Sequence, residues 1–102
     1  GTPVNVEAAA KVFQSSLRMH LIRHYLHHPG PQRDAVEALK VSQRSVSTNT
    51  GELVAAGVLV EEPAKDRRVR TYRVDVDRVR ELLHSAEAFT LGTNEETGKS
   101  RP

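Results

Sequence analysis

The chain contains 102 residues, with 15 Lys and Arg residues against 13 Asp and Glu residues, so the formal net charge is only +2. This length fits one domain, and the absence of Cys excludes a disulfide scaffold, a thiolate nucleophile and a zinc–thiolate site. The apolar runs are too short to span a bilayer, and no signal segment opens the chain. We therefore expect a cytoplasmic protein with no membrane partner.

The first half of the chain is predicted to be helical. Apolar residues recur at helical spacing in four segments, which are Val4–Phe13, Leu17–His28, Gln32–Leu39 and Gln43–Ala56. Pro29-Gly30-Pro31 ends the second helix, Ser42 is a good N-cap for the fourth, and Gly57 stands where a glycine stop belongs.

After residue 57 the pattern changes to that of β-strands. Val58–Val60 is largely β-branched, and Val69–Val74 alternates apolar and polar side chains. The segment between them is charged and contains a proline. Together they predict a β-hairpin.

A fifth helix is predicted at Val76–Phe89, capped by Asp75 or Asp77. From Leu91 onward polar residues, Gly and Pro dominate, so we expect a disordered tail over 91–102. Residues 1–90 then form one domain, mainly α with a small β-hairpin. The order α-α-α-α-β-β-α predicts a winged helix-turn-helix.

The third and fourth helices form the helix-turn-helix unit. Packing of Val36 and Leu39 against Val46 and Leu53 leaves the opposite face of the fourth helix free. The polar side chains on that face are of the types that read base edges in the major groove, and they are Gln43, Arg44, Ser47, Thr48 and Asn49. A simpler explanation is a solvated helix of low intrinsic stability.

The hairpin carries a concentration of positive charge. Residues 65–73 contain five basic side chains and one acidic, whereas the rest of the chain sums to −2. The basic residues are Lys65, Arg67, Arg68, Arg70 and Arg73. Of these, Lys65, Arg67, Arg68 and Arg70 are predicted to bind double-stranded DNA, with the hairpin on the phosphate backbone or an Arg in the minor groove. The alternative is a solvated hairpin with protective edge charges.

Several segments resemble ArsR-type winged-helix regulators. The stretch from Val41 to Leu59 is similar to the family pattern LSQSTVSRHLKALREAGLV, without a gap. Ser16–Ile22 is similar to its PTRLRIL segment and Arg70–Val74 to its RYYRL strand. The resemblance covers Ser15 to Val74, and MarR-like and phage or plasmid regulators share much of it.

The resemblance implies a homodimeric transcriptional regulator, usually a repressor, which reads an inverted repeat and is nucleoid-associated when bound to DNA. It adds Ser42 to the predicted DNA contacts and places the dimer interface on the first and fifth helices, at Val12, Phe13, Leu82, Leu83 and Phe89. The alternative for these two helices is that they complete the monomer core.

Two departures from the family pattern affect the fourth helix. Thr50 replaces a usual buried Leu and is followed by Gly51, so we expect the helix to be bent or loosely held there. Asn49 stands where the family often has His, so base preference does not transfer.

Histidines form the remaining candidate site. His20, His24 and His27 recur at spacings that place them on one face of the second helix, opposite Leu21 and Tyr25. We expect that face to be exposed, and a solvated face explains it better than a Zn²⁺ or Ni²⁺ site. No metal and no cofactor are therefore predicted.

The sequence contains none of the common catalytic motifs: there is no phosphate-binding glycine loop, no His-Glu-x-x-His and no nucleophile elbow. We therefore do not expect an enzyme. The competing hypothesis to DNA binding is a winged-helix protein-interaction module, such as an antirepressor or an assembly factor of a mobile element. The sequence does not indicate the operator or an effector.

Overall fold

The structure is a computed structural model that describes residues 1–94 and 99–100. Four helices come first, and a hairpin of two strands separates them from a fifth. The helices are α1 (Val4–Phe13), α2 (Ser16–His27), α3 (Gln32–Leu39), α4 (Gln43–Ala55) and α5 (Val76–Thr90). Strands β1 (Leu59–Pro63) and β2 (Arg70–Val74) pair antiparallel, with Leu59 opposite Val74. The predicted order α-α-α-α-β-β-α is confirmed.

Side-chain caps set the beginnings of three helices. Ser15, Ser42 and Asp75 each accept a hydrogen bond from the backbone amide three residues later, at 3.2, 3.1 and 3.0 Å. Each cap satisfies an amide that has no partner within its helix, and such a bond contributes about 1 kcal/mol. The predicted caps of α4 and α5 are confirmed.

Gly57 ends α4 and turns the chain into the hairpin. Its φ of +82° lies in the left-handed region, where a Cβ is unfavourable. The amide of Gly57 donates to Val54 O at 2.9 Å, and the amide of Val58 donates to Leu53 O at 3.1 Å. These two bonds form a Schellman motif.

Arg78 of α5 covers this turn. Its Nε donates to the carbonyl of Ala56 and its Nη1 to the side chain of Asn5, both at 3.0 Å, and the guanidinium also pairs with Glu81. A Cβ added to Gly57 would lie 3.2 Å from Nε of Arg78. One side chain thus holds α5 to the end of α4 and to α1.

The hydrophobic core lies between the five helices and the base of the hairpin, and α3 contributes Ala35 to it. Its fully buried members include Leu21, Tyr25, Val46, Leu53 and Val58. Val12 and Leu82, which were expected at a dimer interface, are also buried here. For these two residues that expectation is corrected, since packing inside the monomer already removes them from solvent.

The connection between α2 and α3 does more than end a helix. Gly30 and Tyr72 exchange two backbone hydrogen bonds, of 3.1 and 2.9 Å, in an isolated antiparallel bridge. Through this bridge, the connection between α2 and α3 pairs with β2 of the hairpin. The sequence pattern at Pro29-Gly30-Pro31 predicted only the helix stop.

Part of the predicted tail is also described. Strand β3 (Thr93–Asn94) pairs antiparallel with strand β4 (Lys99–Ser100). Residues 95–98 and 101–102 lie outside the described residues, and the disorder of the tail stays a prediction. Within the described part, no helix is long and apolar enough to cross a membrane.

The two glycines of the α4 region should respond oppositely to alanine. Gly57→Ala should lower the free energy of unfolding by about 1–2 kcal/mol, because the left-handed conformation disfavours a Cβ. Gly51 is exposed within α4, and a Cβ there meets no atom within 4 Å, so Gly51→Ala should stabilise by about 0.5–1 kcal/mol. Urea denaturation of both variants measures this, and equal effects of the same sign would contradict the account.

Candidate nucleic-acid interface

Helix α4 presents one polar face to solvent. Val46, Thr50 and Leu53 point into the core and are fully buried. The exposed residues of the first two turns lie on the other side. We call Gln43, Arg44, Ser47 and Thr48 the recognition face.

A buried hydrogen bond holds the inner side of α4. Tyr25 and Thr50 are both 0% exposed, and their hydroxyl oxygens lie 3.1 Å apart. Burial raises the pKa of Tyr25 above its ordinary value, and the hydrogen bond with Thr50 partly opposes this. α4 runs through Thr50 and Gly51 without interruption, and the expectation that it is bent or loosely held there stays a prediction.

Asn49 is used inside the protein. Its Oδ1 accepts from Nε of Arg18 at 2.9 Å, and its Nδ2 donates to the carbonyl of Ser45 at 2.8 Å. Arg18 also donates to the carbonyl of Lys11 at 2.7 Å. Both ends of the amide therefore have partners that join α1, α2 and α4, and a base-reading role for Asn49 stays a prediction.

Gln32, at the start of α3, was not singled out from the sequence. Its Oε1 accepts from Nε2 of Gln43 and from the hydroxyl of Ser47, both at 2.9 Å. Its Nε2 donates to the hydroxyl of Tyr72 at 3.2 Å. These partners lie 11 to 40 residues away, so no local pattern pointed to Gln32.

The other recognition-face residues have free polar groups. Arg44 and Thr48 are exposed, and within residues 1–94 and 99–100 neither side chain makes a hydrogen bond or an ion pair. Ser42 caps α4 through its oxygen, which leaves its hydroxyl proton free to donate. Ser42 and Arg44 lie at the beginning of α4, where amides without intrahelical partners favour anions.

The hairpin, residues 59–74, is the wing. Its tip is closed by bonds from the amide of Ala64 to Val69 O at 3.0 Å and from the amide of Val69 to Asp66 O at 2.9 Å. Lys65 and Arg67 are exposed at this tip, without an ion pair in the part of the chain that the structure describes. Both are therefore free to meet a phosphate.

The remaining wing arginines have acidic partners. Arg70 lies 3.4 Å from Glu61, Arg73 lies 2.6 Å from Glu62, and Arg68 lies 3.4 Å from Asp66. The side chain of Arg68 stays 92% exposed, so its pair is weak. The five basic residues are thus not equivalent, and cross-strand pairs reduce the positive charge expected of Arg70 and Arg73.

The histidine face of α2 is not uniformly exposed. His20 and His27 are exposed, whereas His24 is only 8% exposed, so the expectation fails at His24. Nε2 of His24 has no hydrogen-bond partner. Among the described residues, no group of three or more His, Cys, Asp or Glu side chains could hold a metal ion.

Of the remaining predicted interface residues, two lie open to solvent. Leu83 is 48% and Phe89 53% exposed on α5, whereas Phe13 is partly buried against the core. Val4, Val76 and Leu91 are further exposed apolar residues at the ends of α1 and α5.

The helix-turn-helix of α3 and α4, followed by the wing, defines a winged-helix protein. Similar solved structures include the transcriptional regulator BldR from Sulfolobus solfataricus, with a TM-score of 0.63 and 18% identity over 84% of this chain. A mutant of ZitR from Lactococcus lactis gives 0.61 and 21% over 82%, and the transcriptional regulator Tm0710 from Thermotoga maritima gives 0.59 and 18% over 84%.

This chain spans 63%, 60% and 67% of the lengths of those three structures. No protein-family model and no curated protein matches it. The likenesses establish the winged-helix fold, and they do not single out the ArsR type.

The effects of substituting Tyr25 and Thr50 on the free energy of unfolding should be coupled. Thr50→Val keeps the shape but leaves the buried Tyr25 hydroxyl without a partner, which should cost about 1–3 kcal/mol of unfolding free energy. Adding Tyr25→Phe removes that orphan, so the double variant should lose less than the sum of the single variants. Chemical denaturation of the four proteins measures the coupling, and strict additivity would contradict it.

Stability should fall in mild acid because of His24. Burial lowers the pKa of His24 below its ordinary value of 6.5, His28 lowers it further, and Asp34 opposes both. The unfolded chain therefore takes up this proton first as the pH drops below 6.5, with a slope of at most ~1.36 kcal/mol per pH unit. Above pH 6.5 His24 is mostly uncharged in both the folded and the unfolded chain, so the free energy of unfolding no longer changes with pH through His24.

His24→Leu removes both the titrating group and the unpartnered nitrogen. The variant should be at least as stable as the wild type at pH 7 and should lose less stability between pH 7 and pH 5. Urea unfolding at several pH values gives the comparison, and identical pH slopes for the two proteins would rule out this role of His24.

Proposed function

We propose that this protein is a sequence-specific regulator of transcription that binds double-stranded DNA through α4. The main support is one observation: α4, whose Thr50 is buried in the core, presents four exposed polar side chains on its opposite face. Guanidinium, amide and hydroxyl groups are the groups that distinguish base pairs in the major groove. Winged-helix transcriptional regulators among the structural neighbours support the same function.

The dimensions of α4 suit this task. Its 13 residues span about 20 Å, and a helix of ordinary diameter fits the major groove. Arg44 would read guanine and Gln43 adenine, since those pairings use two hydrogen bonds. Ser47 and Thr48 would contact bases or phosphates, and Ser42 a phosphate at the beginning of the helix.

The wing supplies contacts that do not depend on base sequence. Lys65 and Arg67 have no acidic partner among the described residues, and Arg68 is almost fully exposed, so these three would neutralise phosphates. Arg70 would contribute less because Glu61 lies 3.4 Å away.

We infer that a second copy completes the regulator. Leu83 and Phe89 expose apolar surface on α5, and an isologous contact through that helix would generate a two-fold dimer. Such a dimer would present two α4 helices to an inverted repeat, with half-sites about one DNA turn apart. Repression by occupying a promoter is the regulatory outcome we propose.

Selection from a random duplex library followed by binding assays tests the DNA-binding proposal. Arg44→Ala should weaken binding to the selected duplex by roughly 1–3 kcal/mol and relax the preference at one base pair. Arg23→Ala, a matched change at an exposed arginine of α2, should leave both unchanged. A wild type that selects no sequence and does not bind DNA at low salt would favour the protein-interaction module instead.

Salt dependence tests the wing separately. Lys65→Ala with Arg67→Ala should weaken binding to all duplexes alike and reduce the slope of log affinity against log salt by roughly two. Arg70→Ala serves as the control and should change the slope less, because its charge is already paired.

A further inference from the structure

We propose that Gln32 is a positioning residue that determines base preference by fixing which hydrogen-bonding group Ser47 offers to DNA. The inference rests on the proposed function. Gln32 lies in α3, yet its Oε1 accepts from two residues of the recognition face, Gln43 and Ser47, each at 2.9 Å. The side chain thus links the first turn of α3 to the first two turns of α4.

The bond from Ser47 has a chemical consequence for base reading. A hydroxyl has one proton and two lone pairs, and in this structure Ser47 donates its proton to Gln32. Only the lone pairs remain for DNA. Ser47 therefore accepts from the amino groups of adenine or cytosine and has no donor to offer to guanine or to the O4 of thymine.

Gln43 keeps a complete reading edge. Its amide carries two donor hydrogens and one acceptor oxygen, and Gln32 takes up one hydrogen. One donor and one acceptor remain, which is the pair that adenine requires. Gln32 thus restricts Ser47 to accepting while it holds the Gln43 amide in one orientation.

Gln32 itself is held from the other side. Its Nε2 donates to the hydroxyl of Tyr72 at 3.2 Å. Tyr72 is 7% exposed and is fixed by its two backbone bonds to Gly30. The relay Tyr72–Gln32–Ser47 therefore starts from a buried residue of β2, so the orientation of the reading groups is set before DNA arrives.

Two substitutions of Gln32 separate positioning from charge. Gln32→Met keeps the length and removes every hydrogen bond, so discrimination for adenine or cytosine at the base pair facing Ser47 should fall roughly ten-fold, while affinity for random duplex stays the same. Gln32→Glu keeps two acceptor oxygens for Gln43 and Ser47 but adds a negative charge. It should retain the preference and bind every duplex more weakly, with a smaller salt slope.

The experiment measures binding of wild type and both variants to the selected duplex, to the three duplexes with another base pair at that position and to random duplex. Ser47→Ala should remove the same preference in the wild type and add nothing in the Gln32→Met background. Thermal unfolding of each protein, with Tyr72→Phe as a variant that breaks only the outer bond, separates these effects from a loss of folding.

The outcomes are distinct. Unchanged base discrimination in a folded Gln32→Met protein overturns the inference and leaves the proposed function intact. Tighter binding of Gln32→Met to the selected duplex, with the same preference, also overturns it. In that case the bonds from Gln43 and Ser47 to Gln32 would compete with DNA contacts. A wild type without base preference overturns the proposed function and the inference together.

Discussion

The arrangement depends on the buried hydrogen bond between Tyr25 and Thr50. A hydroxyl removed from water without a partner costs free energy, so each of these side chains restricts where the other can lie. The bond fixes the rotation of α4 about its axis relative to α2, and with it the direction of the recognition face. Leu or Val at position 50 would bury as well but would not define that rotation through a directional contact. Thr50, which stands where an apolar residue is expected, therefore constrains the orientation of α4, the helix that we propose enters the major groove.

Two further polar contacts extend this constraint to the surface. Arg18 and Asn49 join α2 to the side of α4 at 2.9 Å, while Gln32 joins the recognition face to Tyr72 of the wing. The ring centroids of Tyr72 and Tyr25 lie 5.6 Å apart. The Tyr25–Thr50 bond and the Gln32–Tyr72 bond thus end at two tyrosines that pack against each other. This pair connects the core, α4 and the hairpin. Since α4 and the wing share this support, we expect them to contact DNA as one rigid unit.

Local signals made much of the fold predictable. Ser42, Asp75 and Gly57 act on amides and carbonyls within a few residues, so their effects are readable from the sequence, and the predicted helix order followed. The site was less predictable, because its side chains are paired over distances of 25 residues for Tyr25 with Thr50, 31 for Arg18 with Asn49 and 40 for Gln32 with Tyr72. Helical period identifies the face on which Asn49 lies but not the partner that occupies it. For the same reason, the charges of the wing were countable while their pairing with Glu61 and Glu62 was not.

The central claim is that the outer face of α4 and the tip of the wing bind DNA together. Backbone amide chemical shifts during titration of the full chain with its selected duplex test this most directly. The account predicts that the largest changes fall at residues 42–48 and 64–68, with those of α5 small. Largest changes along α5, with residues 42–48 unaffected, would contradict it.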